Sequence, residues 1–314
     1  MDLYSAVFSL VVIVISKHIP VNSLYYYIVM TKEKIALLTY KAEPLLTDSE
    51  QLLVPAFTEI GIEATATPWD DDLDWTQFST IIVRACWNYH LNKDKFINWL
   101  EDRAVSGIKI WNPIDVIKWN IDKHYLLSLE KSGIKIIPSV FLEPNDMPNI
   151  SEIMIAQNWY TAVIKPAVGT SAFGVRKFNQ ETMANVEKQL DRTQSWILQQ
   201  FCPEINSEGE YSLIFFDGEY SHAVMKKPND NDFRTQPHYG GSEWVINPAK
   251  RIIDQAKLVL SDVKTRLLYA RVDGLVLNGD FYLMELELVE PYLFLDSHPQ
   301  APQKFVNAYK KLSK

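Results

Sequence analysis

Tyr269-Ala-Arg-Val-Asp-Gly-Leu-Val-Leu-Asn-Gly-Asp-Phe-Tyr-Leu-Met-Glu-Leu-Glu-Leu-Val-Glu-Pro291 is the stretch on which the fold turns. Two apolar runs flank Asn278-Gly279, a pair favoured in tight hairpin turns because both positions need positive φ. Side chains alternate faces along a strand, so Arg271 and Asp273 share one face of the first strand, and Glu285 and Glu287 share one face of the second. The turn decides whether those faces coincide. A two-residue Asn278-Gly279 loop pairs Val272 with Glu285 and turns Asp273 away. A three-residue loop, Leu277-Asn278-Gly279 with Gly279 left-handed in a bulge, pairs Arg271 with Glu285 and gathers Asp273, Glu285 and Glu287 on one side. The three-residue loop is the expectation, because three carboxylates and a guanidinium on one sheet face make a metal–phosphate site. A solvated face of an antiparallel hairpin is the ordinary alternative. Against it, the opposite face is almost wholly apolar, and carboxylates on a covered face require cations.

The surrounding 314 residues are long enough for two or three packed units. A content of 47% hydrophobic and 22% charged residues is that of a soluble globular protein. With a formal net charge of −8 and no basic cluster, nucleic acid is not an expected partner. Cys86 and Cys202 lie far apart without a CxxC, which points to a reducing, cytoplasmic setting rather than a disulfide framework or zinc site. The six histidines are scattered and give no metal-ligand spacing.

At the N-terminus, Val7–Ile15 is a short apolar run with no basic segment before it and no Ala-x-Ala site after it. It falls short of the usual spanning length. Residues 1–29 are therefore expected to lie outside the fold, before an ordinary start at Met30; a signal peptide or membrane anchor is the rival reading.

From Met30 onward, strands are expected at 35–39, 62–68, 80–85 and 108–111, with helices between them. The first of these helices is capped by Asp48 and disturbed by Pro55, and the next runs from Lys93 to Ser106. This alternation favours a doubly wound parallel sheet, in which ligands sit at the carboxyl ends of strands. Arg84, Trp87, Asn88 and Tyr89 occupy such an end and are candidate substrate residues. Packing of Trp87 and Tyr89 under the following helix explains them equally well. A helix over 115–132 contains Lys123 and stops at Gly133. A strand interrupted by Pro138 then covers 134–142. Another delivers Lys165 to a loop with Gly169, Thr170, Ser171 and Gly174, where backbone N–H groups can approach phosphate oxygens. Neither GxxxxGK[ST] nor GxGxxG is present, which weakens a dinucleotide-dependent dehydrogenase. Trp196–Phe201 is a strand, and Asp217-Gly218 marks a hairpin turn. Lys226, Lys227 and Arg234 read as a loop cluster, Asn247-Pro248 as the start of a helix, and 301–312 as the last helix.

The order and spacing of these features, from Lys123 through Lys165-Pro166 and Gln199-Gln200-Phe201 to Arg271-Val-Asp273 and Glu285-Leu-Glu287, resembles the ATP-grasp ligases over residues 32–312. The resemblance is to the prokaryotic glutathione synthetase and ribosomal-protein-S6-modification types. Trp119–Lys123, Ser221–Val224, Asp232–Arg234, Tyr269–Asp273 and Met284–Leu288 are similar to the subgroup of the cyclo-ligase that closes the D-cycloserine ring. This implies an α/β (α+β) fold: an extension over 1–29, a pre-ATP-grasp domain over 30–113, and ATP-grasp subdomains over 114–195 and 196–314. It further implies that Lys123 and Lys165 contact the nucleotide at its phosphates and base side, that the Gly169–Gly174 loop is the lid over the phosphates, that Gln199, Gln200 and Phe201 meet adenine, and that Glu210 meets ribose. Asp273, Glu285 and Glu287 are the implied ligands of two Mg²⁺ ions, with Mn²⁺ as the alternative; Glu287 stands where many members carry Asn. Arg234 and Arg271 are placed for the transferred phosphoryl group or substrate carboxylate.

The expected activity is ATP-dependent carboxylate–amine ligation through an acyl phosphate, on small amino-acid-like substrates. A nucleotide-binding module of the same fold without ligase activity is the alternative. No stable membrane association is expected, and a homodimer remains open beside a monomer.

Overall fold

The computed structural model describes residues 33–144, 149–230, 232–236 and 239–314. The apolar run Val7–Ile15 lies outside them, and among the described residues no helix is long and apolar enough to cross a membrane.

Three sheets organise the chain. The first is parallel, ordered β2-β1-β3-β4, from β1 (Lys34–Thr39), β2 (Glu63–Pro68), β3 (Thr80–Val83) and β4 (Lys109–Trp111). Its near-continuous apolar strands suit a sheet covered on both faces. The second is antiparallel, ordered β5-β8-β6-β7, from β5 (Ser139–Leu142), β6 (Thr161–Pro166), β7 (Arg176–Asn179) and β8 (Trp196–Gln200). The third, also antiparallel, is ordered β11-β10-β9-β12-β13, from β9 (Glu210–Phe216), β10 (Glu219–Lys227), β11 (Ser242–Ile246), β12 (Tyr269–Leu277) and β13 (Asp280–Glu287). The expected subdomain boundary at 196 thus puts β8 on the wrong side, because it pairs with β5 and β6.

The β12–β13 turn corrects the expectation on which the hairpin was read. Leu277 pairs with Asp280, so the loop is the two-residue Asn278-Gly279, with φ of 53° and 82°. A β-bulge between Asp273 and Gly274 then skips Met284 and sets Asp273 opposite Glu285 and Arg271 opposite Glu287. The one-residue slip that brings the acids to one face lies in the strand, not the turn.

Four further expectations shift for local reasons. The helix expected over 115–132 is two helices, Ile114–Asn120 and Tyr125–Lys131, with Lys123 in the break. Asn and Asp side chains compete with the helical ladder. Here Asn120 donates to the Leu286 carbonyl at 2.8 Å and accepts from Leu288 N, while Asp122 accepts from His124 N. The first helix is likewise split, into Asp48–Gln51 and Leu53–Glu59, and Thr47 rather than Asp48 caps it. Pro55 sits in the first turn of the second piece, where a missing N–H costs nothing. The helix expected from Asn247-Pro248 begins at Lys250, because β11 runs to Ile246 and those two residues make the connection. Lys226 and Lys227 end β10 rather than lying in a loop.

One core joins the first and third sheets. Ile35 and Leu37 of β1 pack with Phe57, with Ile214 and Phe216 of β9, with Tyr269, and with Phe305 and Tyr309 of the helix Ala301–Leu312. Behind β12 and β13, Ala270, Val272, Leu286 and Leu288 meet Ile252, Ala256 and Val259 of the helix Lys250–Ser261. The second sheet keeps a separate core around Leu142, Ile164, Trp196 and Leu198.

Candidate active site

The acidic face of the hairpin lines a cavity of about 710 Å³ whose other walls come from the second and third sheets and from Thr47, Asp48, Trp87 and Tyr89 in the segments that follow strands β1 and β3 of the first. Arg271, Asp273, Glu285 and Glu287 all reach it. Strand β6 brings Lys165, the loop after β6 brings Gly169, Thr170 and Ser171, and β8 with its exit brings Gln199, Gln200 and Phe201. Lys123, released from helical geometry, anchors its backbone N–H on the Ala167 carbonyl and reaches in beside Glu285.

A network of charges fills the floor. Arg271 Nε donates to both Asp273 oxygens at 3.1 Å, and its Nη2 bridges to Glu287. Ser212 donates to Asp273 Oδ1 at 2.6 Å, and Lys226 lies 3.4 Å from Oδ2. Lys226 also donates to Glu210 at 2.7 Å, whose other oxygen accepts from Thr235. Lys123 Nζ stands 2.9 Å from Glu285 and donates to the Gly169 carbonyl at 2.7 Å; Lys165 is 3.8 Å from the other Glu285 oxygen. Four acids, Asp273, Glu285, Glu287 and Glu210, and four cations, Arg271, Lys226, Lys123 and Lys165, therefore meet in one largely buried volume.

Their protonation follows from burial against neighbours. Burial works against the charges of Asp273 and Glu285, but Arg271 with Lys226, and Lys123 with Lys165, override it and hold both carboxyls low. At Glu287 burial wins, reinforced by the nearby Asp273 and Glu285 charges, and its pKa is pushed up to about 8 despite Arg271. Burial also lifts Glu290 to about 7. Burial lowers Lys165, with Lys123 adding to the effect against the pull of Glu285.

Among the described residues no three acidic, His or Cys side chains converge closely enough to share one ion. Arg271 holds Asp273 and Glu287, and Lys123 holds Glu285. The donor set is nevertheless all oxygen, as Mg²⁺ prefers. A carboxyl kept from ionising by burial and by two neighbouring carboxylates is one that a divalent cation would let ionise. On that chemistry the residues fit such an ion once the ion pairs open.

Several expected residues stand elsewhere. Arg84 does not reach the cavity: it is buried, gripping Glu50 through Nε at 2.8 Å and Nη2 at 2.9 Å, and donating to the Pro291 carbonyl. Asn88 is turned away, accepting from Trp69 Nε1 and donating to Asp70. Both come from a strand end with a fixed place in the core, which sequence pattern does not separate from a ligand-facing end. Trp87 and Tyr89 do line the cavity, and Tyr89 also stacks on Phe96 at 5.6 Å between ring centroids, so packing and site roles coexist. Gly174 shapes the loop instead of lining the cavity; its φ is +70° and a Cβ there would press on Pro166 at 3.0 Å. Arg234 lines the cavity with its guanidinium held by Asp232 and 3.4 Å from the Tyr239 ring centroid. Glu210 is already paired with Lys226.

Sequence reasoning missed Lys226 as a site cation and Glu290 altogether. The available signals were a lysine closing the apolar run Ala223–Met225, and a third glutamate just beyond the strand that carries Glu285 and Glu287.

Comparison with known proteins places the chain in a family. Residues 35–112 match the N-terminal domain of D-cycloserine synthetase DcsG, and residues 135–292, half the chain, match the ATP-grasp domain of prokaryotic glutathione synthetase. The cycloserine biosynthesis protein DcsG of Streptomyces lavendulae is 27% identical over 276 residues, 82% of this chain and 91% of that protein. The crystal structure of D-cycloserine synthetase DcsG shares the fold with a TM-score of 0.79 at 24% identity, covering 90% of this chain and 100% of that one. D-alanine–D-alanine ligase from Bacillus anthracis shares it with a TM-score of 0.64 at 16% identity, covering 90% and 97%. The chain belongs to the ATP-grasp ligases, enzymes that form C–N bonds with release of ADP, and carries the ATP-grasp domain of the prokaryotic glutathione synthetase family.

Proposed function

We propose that this ligase uses ATP and Mg²⁺ to convert the carboxylate of a small amino-acid-like molecule into an acyl phosphate, which an amine then attacks. The observation that carries this reading is the meeting of Lys123, Lys165, Lys226 and Arg271 with Asp273, Glu285 and Glu287 in one cavity. A carboxylate resists amide formation because oxide is a poor leaving group; phosphorylation supplies a good one. Phosphoryl transfer asks the protein for alignment and charge neutralisation rather than a nucleophile. Lys123 and Lys165 would bind phosphate oxygens, with the backbone N–H groups of the 169–174 loop above them. Arg271 and Arg234 would orient the transferred phosphoryl group or the substrate carboxylate. Gln199, Gln200 and Phe201 would receive adenine and Glu210 the ribose. Asp273, Glu285 and Glu287 would hold the divalent ions, two Mg²⁺ or Mn²⁺, which when bound supply positive charge to the phosphoryl oxygens. Closure of the loop excludes water from the activated acyl group.

Trp87 and Tyr89 of the 30–113 unit supply the substrate wall, followed in this reading by two nucleotide-binding units that divide after β8 rather than before it. The names of the relatives, a D-cycloserine synthetase and a D-alanine–D-alanine ligase, support small amino-acid-derived substrates. Two buried free cysteines support a cytoplasmic setting. A module that binds nucleotide without ligation would not need the cation–carboxylate network retained here. Incubation with ATP, MgCl₂, hydroxylamine and a panel of amino acids should release ADP and trap an acyl hydroxamate; ADP release without hydroxamate from any acid would sink the acyl-phosphate step.

A further inference from the structure

Glu290 is the buried carboxyl that, among the described residues, has no ion pair. Glu50, Glu210 and Asp273, the other buried acids, are each paired within 3.5 Å. Glu290 is 8% exposed and lines the cavity. The cations that act on it most strongly, Lys123, Arg271 and Arg84, are each engaged elsewhere. Lys123 serves Glu285 and the Gly169 carbonyl. Arg271 serves Asp273, Glu287 and the Tyr292 carbonyl. Arg84 serves Glu50 and the Pro291 carbonyl. A buried carboxyl without a counter-ion is costly, and burial accordingly lifts its pKa to about 7.

Its surroundings say what would relieve that cost. Trp87 and Tyr89 line the same cavity, and Trp87 Nε1 lies 3.4 Å from the Glu290 backbone carbonyl. The Tyr89 side chain hydrogen-bonds Glu290 as well, so the carboxyl has neutral donors around it and lacks a cationic one. The Thr170 side chain, from the loop over the cavity, favours the charged form of Glu290 by hydrogen bonding. Phosphate groups would be repelled here, and the four site cations lie with the hairpin acids instead.

We propose that Glu290 is the recognition residue for a cationic nitrogen on the substrate, received between the Trp87 and Tyr89 side chains under Thr170. The substrate class is thereby narrowed to molecules that carry an ammonium group besides the carboxylate that is activated. This rests on the ligase reading of the same cavity.

The test uses the full chain with ATP, MgCl₂ and hydroxylamine, so that no second substrate is needed. Alanine and serine, both enantiomers, are compared with lactate and glycerate, in which a hydroxyl replaces the ammonium group. The wild type should favour the amino acids by about ten-fold or more, the value of one charged hydrogen bond. Glu290→Gln should collapse that preference, chiefly by raising the amino-acid KM while the KM for ATP holds, and Glu290→Asp should restore part of it. A wild type indifferent to the exchange, or a Glu290→Gln enzyme that keeps the preference or lowers both rates equally, overturns the proposal. If the wild type traps no hydroxamate from any acid, the ligase reading fails, and thermal melting at pH 8.5 still judges Glu290. A higher melting temperature for Glu290→Gln supports a carboxylate kept for a ligand. A lower one makes it a structural group and overturns the proposal.

Discussion

At the scale of single residues, the site consists of charges that hold one another in place. Asp273 and Glu285 face each other across the hairpin with both carboxyls held low. Asp273→Asn and Glu285→Gln are each expected to cut ADP release by at least about 100-fold, as loss of a group that stabilises transition-state charge does. Their circular dichroism should match the wild type. Retained turnover in either purified variant would remove the metal assignment. Glu290 makes a separate prediction through pH. Its folded pKa of about 7 lies above the ordinary carboxyl value of 4.5. Its contribution to stability is therefore full below pH 4.5 and is lost as pH rises through 7, a change of about 3 kcal/mol. Urea melts across that window should show the loss in the wild type, and a flatter profile in Glu290→Gln would confirm its source.

At the scale of elements, the bulge in β12–β13 is what makes the acidic face. The alternation of Arg271, Asp273, Glu285 and Glu287 was legible because a strand has period two, and a pairing that gathers them was the sensible inference. Its cause was not legible: a turn signal is local, whereas a bulge depends on how Gly274 packs. A Cβ on Gly274 would overlap the Tyr282 carbonyl oxygen and the Phe281 ring. Gly274→Ala should therefore cost about 1–3 kcal/mol in urea denaturation, as overpacking does, and reduce ADP release by displacing Glu285. An alanine variant with full stability and full activity would show that the bulge tolerates a side chain. The break around Lys123 has the same lesson. Helical periodicity runs through Ile114–Lys131, but Asn120 and Asp122 turn their side chains to partners distant in sequence or to the backbone just ahead. Strand β11 escaped notice because Ser242–Ile246 is an exposed edge strand with no buried alternation to read.

At the scale of the molecule, the parallel sheet was legible from alternating strands and helices, and the resemblance supplied the two later units. Which surfaces fuse was not legible, since buried polar partners such as Asn112 carry no pattern. Asn112 donates to the Tyr269 and Leu288 carbonyls at 2.9 and 2.8 Å, and the Tyr269 hydroxyl donates to the Val83 carbonyl. With one core shared between the first and third sheets, these should unfold together, while the β5–β8 sheet on its own core opens first. Native-state hydrogen exchange should show amides of 161–200 exchanging at lower denaturant than those of 34–111 and 210–287. Simultaneous exchange throughout would contradict it. Arg84→Met, which strands Glu50 in the interior, should cost about 3–5 kcal/mol in the same denaturation experiment.

The grip of Arg84 on both Glu50 and the Pro291 carbonyl joins the beginning of the fold to the segment that leaves the acidic hairpin. A transplant that exchanged the first eighty residues with those of a relative would keep Arg84 and Pro291 but inherit a stranger at position 50. A crossover between positions 50 and 84 therefore divides a buried ion pair between two parents, and a chimaera without an acid at position 50 leaves Arg84 charged in the interior with no carboxylate to meet it.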